Sequence, residues 1–135
     1  MSASRLIAGY LLTAAVFFAV DLLWLGVVAR GLYRRHLGHL MAEQVNWTAA
    51  IVFYLLFIVG ILIFAVLPAV ERESVGRAAL MGALFGFFTY ATYELTNLAV
   101  LEGWPLGIVF VDVAWGATLT AIVSVAGYHA FRWLG

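Results

Sequence analysis

Three carboxylates stand where an apolar chain has least use for them. Asp21, Glu94 and Asp112 each lie inside a long run of hydrophobic residues. The densest polar company surrounds Glu94: Tyr90-Ala91-Thr92-Tyr93-Glu94-Leu95-Thr96-Asn97 adds two phenols, two hydroxyls and an amide within the run from Ala78 to Leu101. Trp24 and Trp115 offer ring N–H donors near the other two acids. Carboxylates held out of water act as general acids and bases, as a proton relay, or as hard oxygen ligands for a divalent metal ion. They can also do no more than lock helix register, by hydrogen-bonding Tyr90, Tyr93, Trp24, Trp115 or Asn97, and the residue types alone leave both readings open. A charge in mid-bilayer costs roughly 3 kcal/mol, and three cost on the order of 9 kcal/mol, so these acids are not expected to face lipid. Convergence on a shared cavity is the expectation.

The elements that must position them are membrane helices. Of 135 residues, 66% are hydrophobic and 10% charged, a balance too apolar for a soluble domain. The formal net charge is zero, the seven basic residues are all arginine, and nothing resembles a nucleic-acid footprint. With no cysteine, disulfides and thiolate metal sites are excluded. Apolar runs of the length that crosses a bilayer predict an all-α integral membrane protein, a single domain over residues 1–135. The expected architecture is a four-transmembrane-helix bundle, with spans at about 6–29, 47–70, 78–101 and 106–130. Between the first two spans, residues 31–45 carry an apolar stripe of Tyr33, Leu37, Leu40 and Met41, which predicts a short interfacial amphipathic helix. Pro68 is expected to mark the exit of the second span.

Helical spacing gives each acid an inward face. Gly9, Thr13, Phe17, Asp21 and Leu25 form one i, i+4 row; Ala78, Gly82, Gly86, Tyr90 and Glu94 form another; Asp112, Gly116, Thr120, Ser124 and Tyr128 form a third. Small residues at this spacing let a neighbouring helix approach closely. At about 1.5 Å per residue, Asp21 lies ~6 Å and Glu94 ~7 Å beyond the middle of their spans, while Asp112 lies ~9 Å before the middle of its own. Because successive spans alternate direction, all three displacements point to one side. His36 and His39 belong to that side too, so Asp21, Glu94, Asp112, His36 and His39 are the candidate ligands if a divalent metal ion binds.

Asp21-Leu-Leu-Trp24-Leu25 with Tyr33, then Phe88 to Asn97, then Val111-Asp112-Val-Ala-Trp115-Gly116, together resemble a family of small bacterial inner-membrane proteins known only as a numbered domain of unknown function. In that family the position of Glu94 is more often Asp, which keeps the acid. The resemblance implies a compact four-helix inner-membrane protein and no established activity.

The expected site therefore has Asp21, Glu94, Asp112, Tyr90 and Tyr93 as reacting groups, with Trp24, Asn97, Trp115, Tyr33 and Tyr54 lining the cavity. The leading functional expectation is binding or modification of a lipid-like substrate drawn from the membrane lipid, by an apolar slot with acids at one end. The alternatives are a proton- or cation-coupled transporter or channel, in which a homo-oligomer is expected, and a non-catalytic membrane helper subunit. The arginine distribution leans towards cytoplasmic termini in a bacterial inner membrane.

Overall fold

Ser2 starts the first helix by accepting the Arg5 backbone N–H at 3.1 Å, and α1 runs from Ala3–Leu23 into a wide π turn, Trp24–Val28. A computed structural model describes residues 1–135, and every regular element in it is helical. Gly31, at φ 78, turns the chain into α2, Leu32–Leu37, which tightens into a single 3₁₀ turn, Gly38–Leu40. The amphipathic helix expected to reach residue 45 is thus shorter. Gly38 is a poor helix former, and the chain beyond Leu40 leads instead into the Asn46 cap, where Asn46 Oδ1 accepts the Ala49 N–H at 3.1 Å.

Helix α3, Trp47–Ile61, passes through a second π turn, Leu62–Val66, into α4, Leu67–Glu71. Pro68 lies near the end of this column, as expected, and the column stops at Glu71. Proline lacks an N–H and its ring crowds the preceding turn; a widened turn relieves both. Ser74 then caps α5, Val75–Val100, and after a turn through Gly103 (φ 76) α6 occupies Leu106–Leu134.

Three columns, Ala3–Val28, Trp47–Glu71 and Leu106–Leu134, are long and apolar enough to cross a membrane, with mean hydropathy 2.3, 3.1 and 1.9. Four spans were expected from the sequence. Helix α5 has the length, 26 residues, but its polar stretch around Glu94 dilutes its apolar character.

The inward rows pack as their spacing requires except at Leu25, which lies in the π turn and is exposed. Gly9, Thr13, Phe17 and Asp21 are the buried residues of α1; Ala78, Gly82, Gly86 and Glu94 those of α5. On α6 the whole row Asp112, Gly116, Thr120, Ser124 and Tyr128 is buried. The closest seam joins α5 to α6, where a β-carbon on Gly86 would run into the Gly116 carbonyl. Helix α1 lies on the other side of α6, with Gly9 under the Phe131 ring. Arg5 ties that end, donating from Nη2 and Nε to the Phe131 carbonyl at 2.6 and 3.2 Å. Phe17, Ile58, Ile61, Leu119 and Val123 fill the middle of the bundle without exposure to solvent.

Candidate functional site

The C-terminal ends of α1 and α5 and the N-terminal end of α6 meet at one end of the bundle, and this brings the three acids together. Asp21, Glu94 and Asp112 are only 9%, 1% and 8% exposed, and all three line one cavity of about 570 Å³. That volume lies within the usual range for small-molecule sites, ~300–1,000 Å³.

Each acid is held differently. Trp24 Nε1 donates to the Tyr33 hydroxyl at 3.0 Å, and that hydroxyl donates to Asp112 Oδ1 at 2.8 Å. Trp104 Nε1 donates to Glu94 Oε2 at 3.0 Å. Glu94 and Asp112 face each other across the α5–α6 seam. Asp21 is faced by the Trp115 indole and the Tyr54 hydroxyl, yet the buried Trp115 N–H closes no hydrogen bond. Trp115 stacks on Trp24, with ring centroids 4.3 Å apart and planes within 7°. The π turn that starts at Trp24 is where α1 departs from regular winding, and such turns are frequent at functional sites. Burial, reinforced by the Asp112 carboxylate, pushes the Tyr33 phenol up from its ordinary value, so Tyr33 stays protonated and remains a donor.

The rest of the wall is aromatic or aliphatic. Tyr54, Phe53 and Phe57 come from α3, Thr89, Tyr90 and Tyr93 from α5, and Leu25 and Leu37 complete the lining. No arginine or histidine lines it.

Of the ten residues expected to react or to line the cavity, the structure gathers nine around it: Asp21, Trp24, Tyr33, Tyr54, Tyr90, Tyr93, Glu94, Asp112 and Trp115. Asn97 is partly buried one turn beyond Glu94 and lies outside the lining. No three of Asp21, Glu94, Asp112, His36 and His39 are arranged to hold an ion. His36 is exposed and pairs through Nδ1 with the Leu32 carbonyl of its own helix at 2.9 Å. His39 reaches the Gly103 carbonyl at 3.2 Å, fastening the 3₁₀ turn to the α5–α6 connection instead of turning inward.

Sequence reasoning missed Trp104, and it missed Thr89, Phe53 and Phe57. Helical periodicity carries no signal across the turn that folds Trp104 back onto Glu94. The α3 phenylalanines look like any other lipid-facing residues in so apolar a segment.

No curated protein and no solved structure matches this chain. The model of a family described as predicted membrane proteins (DUF2177) matches residues 6–129, and the chain belongs to that family.

Proposed function

We propose that this is a single membrane domain crossing the bilayer four times, whose cavity binds, and through its acids modifies, a lipid-like amphiphile. The observation that carries the reading is the cavity of about 570 Å³ with a mainly apolar wall and three buried carboxylates at one end. An apolar wall suits a hydrocarbon body, while the acids and phenols suit a polar head. The Glu94–Asp112 pair gives the site a general acid and a general base side by side, since two facing carboxyls can share one proton. Asp21, with no closed hydrogen bond from its facing indole, is the acid freest to engage a bound molecule.

The fourth crossing is α5. Its small-residue row packs against α6, and its acid points into the bundle, so the carboxylate is kept out of lipid. Arg5, Arg132 and Glu73 are gathered at the end that holds both termini. Positive charge at that end supports cytoplasmic termini in a bacterial inner membrane. A pocket is favoured over a conduit because Phe17, Ile61, Leu119 and Val123 plug the bundle beneath the site.

The test is to incubate the detergent-purified protein with a bacterial lipid extract and identify retained and altered species by mass spectrometry. Wild type should retain an amphiphile stoichiometrically, and Leu37→Trp, which puts a larger side chain into the lining, should not. Asp21→Asn and Asp112→Asn should leave unaltered whatever amphiphile they still retain. Equal retention by wild type and Leu37→Trp would remove the cavity from the account.

A further inference from the structure

The wall between α3 and α5 is unlike the rest of the bundle. Helix α5 meets the α3–α4 column chiefly at the π turn Leu62–Val66. Nearer the acids, the gap between the two helices is bridged by rings: Phe57 lies 5.4 Å from Phe85 and 6.1 Å from Tyr90, centroid to centroid. These rings divide the cavity from the membrane-facing surface. Phe53 and Phe57 line both the cavity and an outer groove that begins at Asn46. Thr89 lines both the cavity and a second outer groove that runs past Phe64 and Phe88. Phe53 is 51% exposed on the outer side. A side wall made of rings, thin and lined by apolar groups on both faces, is the place where a tail in the bilayer would enter.

The polar end is equally selective. It presents three buried carboxylates, four tyrosines and two tryptophans, with no basic side chain in the lining. A phosphate placed there would meet only like charge. An ammonium would be drawn by the carboxylates and by the faces of the surrounding rings, the combination by which aromatic cages hold amines. Trp104 and Tyr33 already occupy Glu94 and Asp112, while Asp21 is nine-tenths buried and aimed into the cavity without a closed bond from Trp115.

We propose that the cavity admits a long-chain amine sideways from the membrane, between α3 and α5, and holds its ammonium head among Asp21, Glu94 and Asp112. This rests on the reading of the cavity as an amphiphile site. The head is fixed by charge complementarity, and the tail by the ring-sealed gap.

The chain has no cysteine, so two introduced ones can be linked cleanly. Detergent-purified protein is titrated with a long-chain alkylamine, the alcohol of equal length and the alkyl phosphate, following intrinsic tryptophan emission. The amine should bind about tenfold or more tighter than the alcohol, and the phosphate weakest. The variant Phe53→Cys/Thr89→Cys is then measured before linking, after joining with a cleavable bismaleimide, and after cleavage. Linking should lower its amine affinity or association rate at least tenfold, and cleavage should restore it. Phe57→Ala, which thins the seal without touching an acid, should speed association severalfold.

Alcohol or phosphate binding as tightly as the amine would overturn the head assignment. Unchanged binding after linking, or an unchanged rate in Phe57→Ala, would overturn the side entry. If none of the three amphiphiles binds the wild type, the amphiphile reading itself fails, which separates that failure from the other two.

Discussion

Trp104 does for Glu94 what Tyr33 does for Asp112: each brings one donor from outside the acid's own helix to a carboxylate that has left water. Removing the only closed donor to a buried acceptor costs roughly 1–3 kcal/mol. Trp104→Phe should therefore lower stability by about that amount in denaturant or thermal unfolding of the detergent-solubilised protein. Trp133→Phe, at a residue 79% exposed, should change it by less than about 0.5 kcal/mol. Equal effects would show that the Trp104–Glu94 bond contributes nothing beyond ring burial. Tyr33 makes a second, pH-dependent statement. Its phenol ionises above the ordinary tyrosine range, so the neutral form is the one favoured by folding. The stability it adds is present below that range and is lost only as pH rises through its folded value. In an absorbance titration through pH ~10, the ordinary tyrosine value, Tyr33→Phe should superpose on the wild type, because the lost phenol was not titrating there. A missing step in that range would mean that Tyr33 is wet. The acids and their phenols were legible in the sequence because a polar residue in an apolar run is conspicuous. Trp104 was not, because a tryptophan beside a turn is what any membrane interface shows.

At the scale of elements, the inward rows were readable from spacing alone, and the reason is mechanical. A helix buries one face, so small residues repeated every four positions declare which face meets a neighbour. The prediction that belongs here sets two glycines against each other. Gly86→Ala would put a methyl group against the Gly116 carbonyl and Thr120 Oγ1, with backbone on one side that cannot retreat. It should destabilise the protein by about 1–3 kcal/mol, the usual range for overpacking. A β-carbon on Gly107, in the first turn of α6, meets nothing, and Gly107→Ala should be neutral or stabilising by up to about 1 kcal/mol. Unfolding midpoints of the two variants side by side decide it: similar shifts would mean that the α5–α6 seam is looser than its backbone contacts imply. The π turns were invisible to the same reasoning, since a five-residue widening leaves the hydrophobic pattern intact. So was the early end of the interfacial helix, because amphipathic spacing marks which face would be buried, not whether the winding survives Gly38.

For the whole molecule the question is how many times the chain crosses the bilayer, and α5 decides it. Three columns qualify on apolarity, but α5 packs along α6 over its length and buries Glu94 in the same layer as Asp112. The proposed fourth crossing has α5 follow its neighbour across. If it does, Ser2, Ser74 and Gly135 lie on one side of the membrane and Met41 and Glu102 on the other. The chain has no cysteine, so single replacements Ser2→Cys, Ser74→Cys, Met41→Cys and Glu102→Cys can be probed one at a time with a membrane-impermeant maleimide in intact cells and in lysed ones. Ser2→Cys and Ser74→Cys should label together only after lysis, as cytoplasmic positions, and Met41→Cys and Glu102→Cys should label in intact cells. Labelling of Ser74→Cys and Glu102→Cys from the same side would mean that α5 does not cross. The acid layer could not then sit within a closed bundle, and the amphiphile cavity would fall with the topology. Correctly paired labelling with the sides reversed would keep the bundle and the cavity while turning the site towards the cytoplasm, so that any amphiphile would have to enter from the inner leaflet.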